Sequence, residues 1–181
     1  GGSKKKLNFT NDEWQLFIDL DKTYKKDEEY TIYIKYTARP NEVKQEGSAA
    51  IADAKGMYFI NARGEDPDKP TQIWTQGETE SSSCWFPTID KPNQKTSQEM
   101  YLTVPDKYVT LSNGKLEKQT KNSDGTRTDY WNFKQKHAPY LFFVGIGDYS
   151  ITKDKWKNIE VDYYVEHEYA PYAKEIFGNT P

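Results

Sequence analysis

Apolar residues recur at every second position in Trp14, Leu16, Ile18 and Leu20, the spacing that puts side chains on one face of a half-buried strand. Ile32, Ile34 and Tyr36 repeat the pattern, and the charged TYKKDEE between the two sets predicts a solvated turn. Proline ends this region at Ala38-Arg39-Pro40, because it removes a ladder donor and restrains the residue before it. Further strands are expected in GMYFINA, in MYLTV around Met100, Leu102 and Val104, in YVTLS from Tyr108 and in DYWNF from Asp129. A last alternating set, Ile159, Val161, Tyr163 and Val165, follows Trp156. The run YLFFVGIG at 140–147 is apolar on both faces, as a central strand covered on each side would be.

Turn signals separate these runs. Ser112-Asn113-Gly114 and Ser123-Asp124-Gly125 are Asx-Gly pairs that tolerate positive φ and suit tight hairpins. Only APYAKEIF, residues 170–177, reads as helical, with Pro171 acceptable in a first turn and Gly178 placed as a C-terminal stop. Many short strands and a single short helix predict an all-β fold, a sandwich or a curved multi-sheet module.

Composition narrows the partners. The chain has 181 residues, enough for one compact domain, and 35% of them are hydrophobic while 15% are aromatic, including 14 Tyr and 5 Trp. Much of the burial must therefore come from rings whose polar tips reach water. That profile suits a surface-rich β protein of a bacterial periplasm or cell envelope. Net charge is -3 and the basic residues are dispersed, which argues against nucleic acid as a partner. No apolar run approaches the roughly 20 residues of a membrane span.

Candidate chemistry is sparse. The histidines are His137 and His167, too few for a zinc site without several carboxylates close by. His167-Glu168-Tyr169-Ala170-Pro171 opens like H-E-x-x-H, but proline occupies the place of the second histidine, so no metal site is expected there. Cys84 has Glu78 and Glu80 nearby, which disfavour a thiolate, and it reads as a packed structural cysteine. No catalytic residue is assigned within the chain.

Gln76 and Glu78 remain. If TQIWTQGE is extended, both side chains project from one face, and Gly77 between them allows a ligand or another chain to approach the backbone. A carboxylate with a neighbouring amide suits an ammonium group, Glu78 supplying charge-assisted bonds and Gln76 direction. A pair of solvated edge residues is the alternative on composition alone.

The order of motifs favours the former. Gln76-Gly77-Glu78, Trp85-Phe86-Pro87 and Asp90-Lys91-Pro92 resemble the Q-x-E segment and the following F-P-x-x-D-x-P of the M1 zinc metallopeptidases, the aminopeptidase N and leukotriene A4 hydrolase superfamily. Val104-Pro105, Leu111-Ser112-Asn113-Gly114, Pro139-Tyr140-Leu141 and Gly147-Asp148-Tyr149 are similar to further elements of its N-terminal domain, in the same order. Thr88, Lys91 and the Ser83-Cys84 pair depart from the common residues of that loop.

The resemblance implies a saddle-like, multi-sheet β-sandwich of antiparallel and mixed strands that packs on a catalytic domain of the same polypeptide. It implies that Glu78 binds the free α-ammonium of a peptide N-terminus, with Gln76 lining the same pocket, and that zinc belongs to the catalytic domain. The G-x-M-E-N and H-E-x-x-H motifs of that domain are not in this sequence, so this chain by itself is expected to cleave nothing and to need no cofactor. The expected organisation is a tag or disordered start at 1–6, an M1-type β domain without its first strands at 7–166, and a linker into the catalytic domain at 167–181. A free-standing β-sandwich module binding carbohydrate or protein is the alternative, since exposed Trp and Tyr rings can serve as stacking platforms.

Overall fold

A computed structural model describes residues 4–12, 14–44 and 53–181. Gly1–Ser3 of the expected tag lie outside the described residues. The chain divides into two units, Gly1–Thr37 and Ala38–Pro181.

In the first unit β1 (Phe9–Asn11) pairs antiparallel with β2 (Leu16–Ile18), Phe9 facing Ile18. The turn forms because the Asp12 carboxylate accepts the backbone N–H groups of Trp14 at 2.7 Å and Gln15 at 2.6 Å. The strand expected from Trp14 to Leu20 is thus only three residues long, and Trp14 sits in the turn, 73% exposed. Ile32, Ile34 and Tyr36 form no strand. Alternation says which side chains would share a face, but a strand exists only where a neighbour completes its ladder, and a two-stranded ribbon supplies little to pack on.

The described residues of the second unit form three antiparallel sheets. One has the order β3 (Met57–Ile60), β4 (Gln72–Thr75), β9 (Val144–Gly147), β6 (Val109–Ser112). Another runs β5 (Thr96–Pro105), β8 (Thr126–His137), β7 (Lys115–Lys121). The third is the hairpin of β10 (Ser150–Trp156) and β11 (Ile159–Val165). The all-β expectation is met by several antiparallel sheets with one short helix, although no mixed pairing occurs among the described residues.

YLFFVGIG starts in a turn set by the proline just before it and becomes strand only in its second half. Pro139–Leu141 forms a 3-10 turn, and only Val144–Gly147 is strand, central in its sheet between β4 and β6, with Val144 almost fully buried. The core gathers Trp85, Phe142 and Val144, with Met57 and Ile146 added from the four-stranded sheet, Met100 and Leu102 from β5, and Phe86 from the loop between. Phe86 stacks on Phe142 at 5.1 Å and meets Trp85 edge-on at 4.5 Å. Trp-Phe-Pro is therefore a core plug that pins the loop before it.

The two Asx-Gly turns do different work. Asp124-Gly125 closes the β7–β8 hairpin, as expected. Asn113-Gly114 joins no hairpin: β6 pairs with β9 and β7 with β8, so the chain changes sheets there. Gly114, at φ +88°, lies against the Asn132 carbonyl, where a Cβ would collide. Asn113 locks the corner from the other side, accepting the Phe143 N–H at 2.7 Å and donating to the Leu141 carbonyl at 2.9 Å.

A buried ion pair ties these sheets together. Asp129 of β8 is fully buried and accepts Arg127 Nε at 2.7 Å, Arg127 Nη2 at 2.9 Å, Thr110 Oγ1 of β6 at 2.7 Å and Gln119 Nε2 of β7 at 3.0 Å. Arg127 spends its remaining donors on the Asp106 carbonyl and carboxylate and on the Tyr108 carbonyl, so all five of its N–H groups are used. Trp131 Nε1 closes the network on Thr110. Burial pushes the Asp129 pKa up, but the Arg127 guanidinium and the Thr110 and Gln119 donors outweigh it and leave it below the ordinary value.

The segment 167–181 does not hang free. A 3-10 stretch, His167–Tyr172, leads into α1 (Ala173–Phe177), Ala173 has no exposed surface, and Phe177 packs on Tyr163 of β11 at 5.5 Å between ring centres. No helix among the described residues is long and apolar enough to cross a membrane.

Asp129→Ala strands a mostly buried guanidinium and is expected to cost about 3–5 kcal/mol in urea unfolding. Because folding lowers the Asp129 pKa, its stabilisation is complete above the ordinary carboxylate value of about 4 and is lost as pH falls through the lowered folded value. Asp129→Asn should accordingly show a shallower acid limb than the parent below the ordinary carboxylate range, a difference that titrated unfolding midpoints would measure. Gly114→Ala should destabilise more than Gly125→Ala. The φ values are close, +88° and +82°, yet a Cβ at Gly125 meets nothing within 4 Å; equal unfolding midpoints would contradict the collision with Asn132.

Candidate functional site

Strand β4 ends at Thr75, which is buried and bonded on both sides of β9's entry: its hydroxyl donates to the Phe142 carbonyl at 3.3 Å and accepts the Val144 N–H at 2.9 Å. Gln76 makes one more backbone bond, its N–H to the Gly56 carbonyl at 2.9 Å, and then the chain turns. TQIWTQGE is therefore not extended throughout. The turn still brings the two polar side chains together: Gln76 Oε1 accepts the Glu78 N–H, and Gln76 Nε2 lies 3.4 Å from Glu78 Oε2. Gln76 is half-buried and Glu78 exposed.

Gly77 has a different role from the one its position suggested. A Cβ there would lie 2.5 Å from the Tyr140 carbonyl oxygen and 2.7 Å from its Cα. The backbone that approaches Gly77 is the chain's own, not a ligand's. Ser82, with no exposed surface, donates to the Pro139 carbonyl at 2.8 Å, and Ser81 returns its N–H to Gly77 at 2.9 Å. The acid-bearing turn is thus riveted to 139–142. Between them lies a groove of about 290 Å³ lined by residues 75–78 and 140–143.

The rest of the motif acts behind this turn. Asp90 accepts the Ser83 N–H at 2.8 Å, and Lys91 pairs with Glu80 at 2.7 Å. In Asp90-Lys91-Pro92 the polar residues hold the 3-10 stretch Ser82–Cys84 in place. Cys84 is half-buried with Sγ 3.6 Å from the Ala54 carbonyl. Burial first and the Asp90 charge second raise its pKa, which disfavours a nucleophilic thiolate. The acidic neighbour is Asp90 rather than the glutamates expected from sequence.

His137 is buried with its ring on Phe142 at 4.6 Å, whereas His167 is exposed and bonded to Asp148 at 2.9 Å. Among the described residues no group of three or more His, Cys, Asp or Glu is placed to hold a metal ion, so these side chains do not fit a zinc centre. Trp85 and Trp131 are buried, and Trp74 stacks on Tyr58 at 4.4 Å; Trp14 and Trp156 are exposed. Most tryptophans are thus structural. Sequence reasoning did not single out Arg127, Asp129 or Thr110, although R-T-D on a strand places the two charges on one face.

A comparison with curated proteins found no match. Among solved structures, the crystal structure of Legionella pneumophila aminopeptidase A in complex with aspartic acid is similar in fold, with a TM-score of 0.51 and 21% identity over 55% of this chain. The matched region spans 13% of that aminopeptidase's length. The profile of the Peptidase M1 N-terminal domain matches residues 2–141, from the start through the 3-10 turn that lines the groove. By that match over most of its length, the chain belongs to the Peptidase M1 N-terminal domain family.

Proposed function

We propose that the chain serves as the non-catalytic, amine-recognising part of a zinc-dependent M1 aminopeptidase. Glu78 takes the free α-ammonium of a peptide, Gln76 orients that carboxylate and lines the same pocket, and the catalytic domain of the same polypeptide supplies zinc and the hydrolytic chemistry. The observation that carries this is the turn at 76–78, an exposed carboxylate bonded to a half-buried amide at the rim of a groove.

The chemistry is consistent. An ammonium group carries three donors and no acceptor, so an exposed carboxylate matches it, and the Gln76 amide nitrogen 3.4 Å away steadies that carboxylate. A removal of residues from a chain end needs something that tells an end from an interior bond, and a fixed carboxylate does so because an acylated nitrogen has no charge and one donor in place of three. Rigidity matters as much as charge. The contact of Gly77 with Tyr140 and the Ser82 bond to Pro139 hold the carboxylate's backbone at one distance from the rest of the groove. No step of hydrolysis is assigned to these residues.

In the full-length protein, Glu78→Ala is expected to lower kcat/KM on free-amine aminoacyl substrates by roughly 10- to 100-fold, the worth of a charge-assisted hydrogen bond. Bound zinc should be unchanged, and any residual turnover of N-acetylated substrates should not fall further. Unchanged kcat/KM on free-amine substrates would remove the assigned role. Gly77→Ala, whose Cβ must displace Tyr140 or the turn, should reproduce much of the kinetic loss with Glu78 still present. Wild-type kinetics in that variant would show that the turn's placement is immaterial.

A further inference from the structure

The outer face of the β5–β8–β7 sheet has a composition unlike the rest of the chain. Register and pleat together define it: Glu99, Asn132 and Lys115 lie in one row, Tyr101, Tyr130 and Lys118 in the next, Thr103, Thr128 and Thr120 in the third. Lys134 and Lys136 follow on β8, exposed in the stretch where the β5–β8 register shifts, toward the end where β7 begins. Four lysines thus stand on or beside this face against Glu99 and, at the β7 bulge next to Lys115, Glu117, in a chain whose net charge is -3. Lys115 makes only a distant pair with Glu117 at 3.9 Å, and Lys118, Lys134 and Lys136 have no ion-pair partner among the described residues.

Beside the lysines stands an aromatic pair. Tyr101 and Tyr130 stack at 4.5 Å with 11° between ring planes, and Tyr101, on edge strand β5, is 64% exposed. Tyr130 donates its hydroxyl to Glu99 at 2.7 Å, a bond that pushes its pKa up to about 12 and keeps the phenol protonated. Next to the rings the Thr103 and Thr128 hydroxyls bond at 2.8 Å, leaving further donor and acceptor capacity toward solvent. Ring, hydroxyls and cations recur on a grid of roughly 5 Å across strands and 7 Å along them.

We propose that this face binds an acidic polysaccharide, a chain of uronic acid or sulfated sugars, at a site separate from Gln76 and Glu78. The C–H face of a sugar ring stacks on Tyr101, its hydroxyls bond to the threonine pair and Glu99, and its anionic substituents meet Lys118, Lys134 and Lys136. Charge complementarity sets the sign of the partner. The stacked ring and the threonine hydroxyls beside it select a polyhydroxyl chain over an acidic peptide, which needs pockets for alternate side chains. A lipid surface is disfavoured because Tyr101 is the sole large ring here exposed enough to insert.

The test is calorimetric titration of the full chain with a polygalacturonate oligosaccharide, a neutral dextran of similar length, poly-L-glutamate and a single-stranded oligonucleotide. Polygalacturonate should bind, with affinity falling as salt rises, and the other three should bind at least about tenfold more weakly. Lys118→Ala combined with Lys134→Ala should weaken binding and flatten its salt dependence. Tyr101→Ala should weaken binding about tenfold, and Tyr101→Phe should retain it. The lysine variants and Tyr101→Phe, which keeps the stacked ring, should unfold at the parental midpoint, and Tyr101→Phe therefore separates a binding loss in Tyr101→Ala from the loss of the Tyr130 stack. Failure of polygalacturonate to bind, equal binding of dextran, poly-L-glutamate or the oligonucleotide, or indifference to Tyr101→Ala would each overturn the proposal. None of these outcomes bears on Glu78, whose kinetic test is independent.

Discussion

A carboxylate with no solvent exposure needs a partner, and Asp129 has Arg127 together with two neutral donors. Such a pair contributes little to stability against an apolar replacement of the same shape, because taking both charges out of water costs several kcal/mol per ion before they attract one another. Its value here is geometric. Thr110 belongs to β6 and Asp129 to β8, so the bond between them joins the four-stranded sheet to the three-stranded one, and Gln119 brings in β7. Arg127 holds the loop 106–108 by two carbonyls, which are groups only this strand register brings within reach.

The same junction governs the candidate site at a distance. The corner at Asn113-Gly114, where the chain passes between the two sheets, is bonded to Leu141 and Phe143. Those residues continue from Tyr140, which fills the space at Gly77. The groove wall opposite Glu78 is therefore part of the sheet junction, and the core rings Trp85, Phe86 and Phe142 lie directly behind it. A carboxylate on an exposed turn is ordinarily free to wander, and here its backbone is clamped by buried serine and glycine contacts. Exposure of the acid and immobility of its backbone are what end-recognition would demand together.

The two proposed surfaces use charge in opposite senses. The 76–78 turn presents an acid to a cation, while the outer face of the three-stranded sheet presents lysines to anions. They lie on different elements of the second unit and share none of the residues assigned to either, so occupancy of one does not require the other.

Much of the fold was legible before any coordinates. Alternation located β5, β6, β8 and β11, the two-sided apolar run marked β9 as central, and the ordered motifs identified the domain family and drew attention to Gln76 and Glu78. These are local properties, set by which side chains lie two residues apart and which dipeptides permit a turn. Pairing is not local. The alternating residues 32–36 found no ladder, Asn113-Gly114 became a sheet crossing instead of a hairpin, β10 arose from a polar stretch because β11 was there to pair with it, and Gly77 turned out to face Tyr140. The sequence by itself determined the class, the strand faces and the candidate acid. Tertiary structure alone decided which strands meet, which charge is buried and what fills the space at a glycine, because each of those depends on a partner far away in the chain.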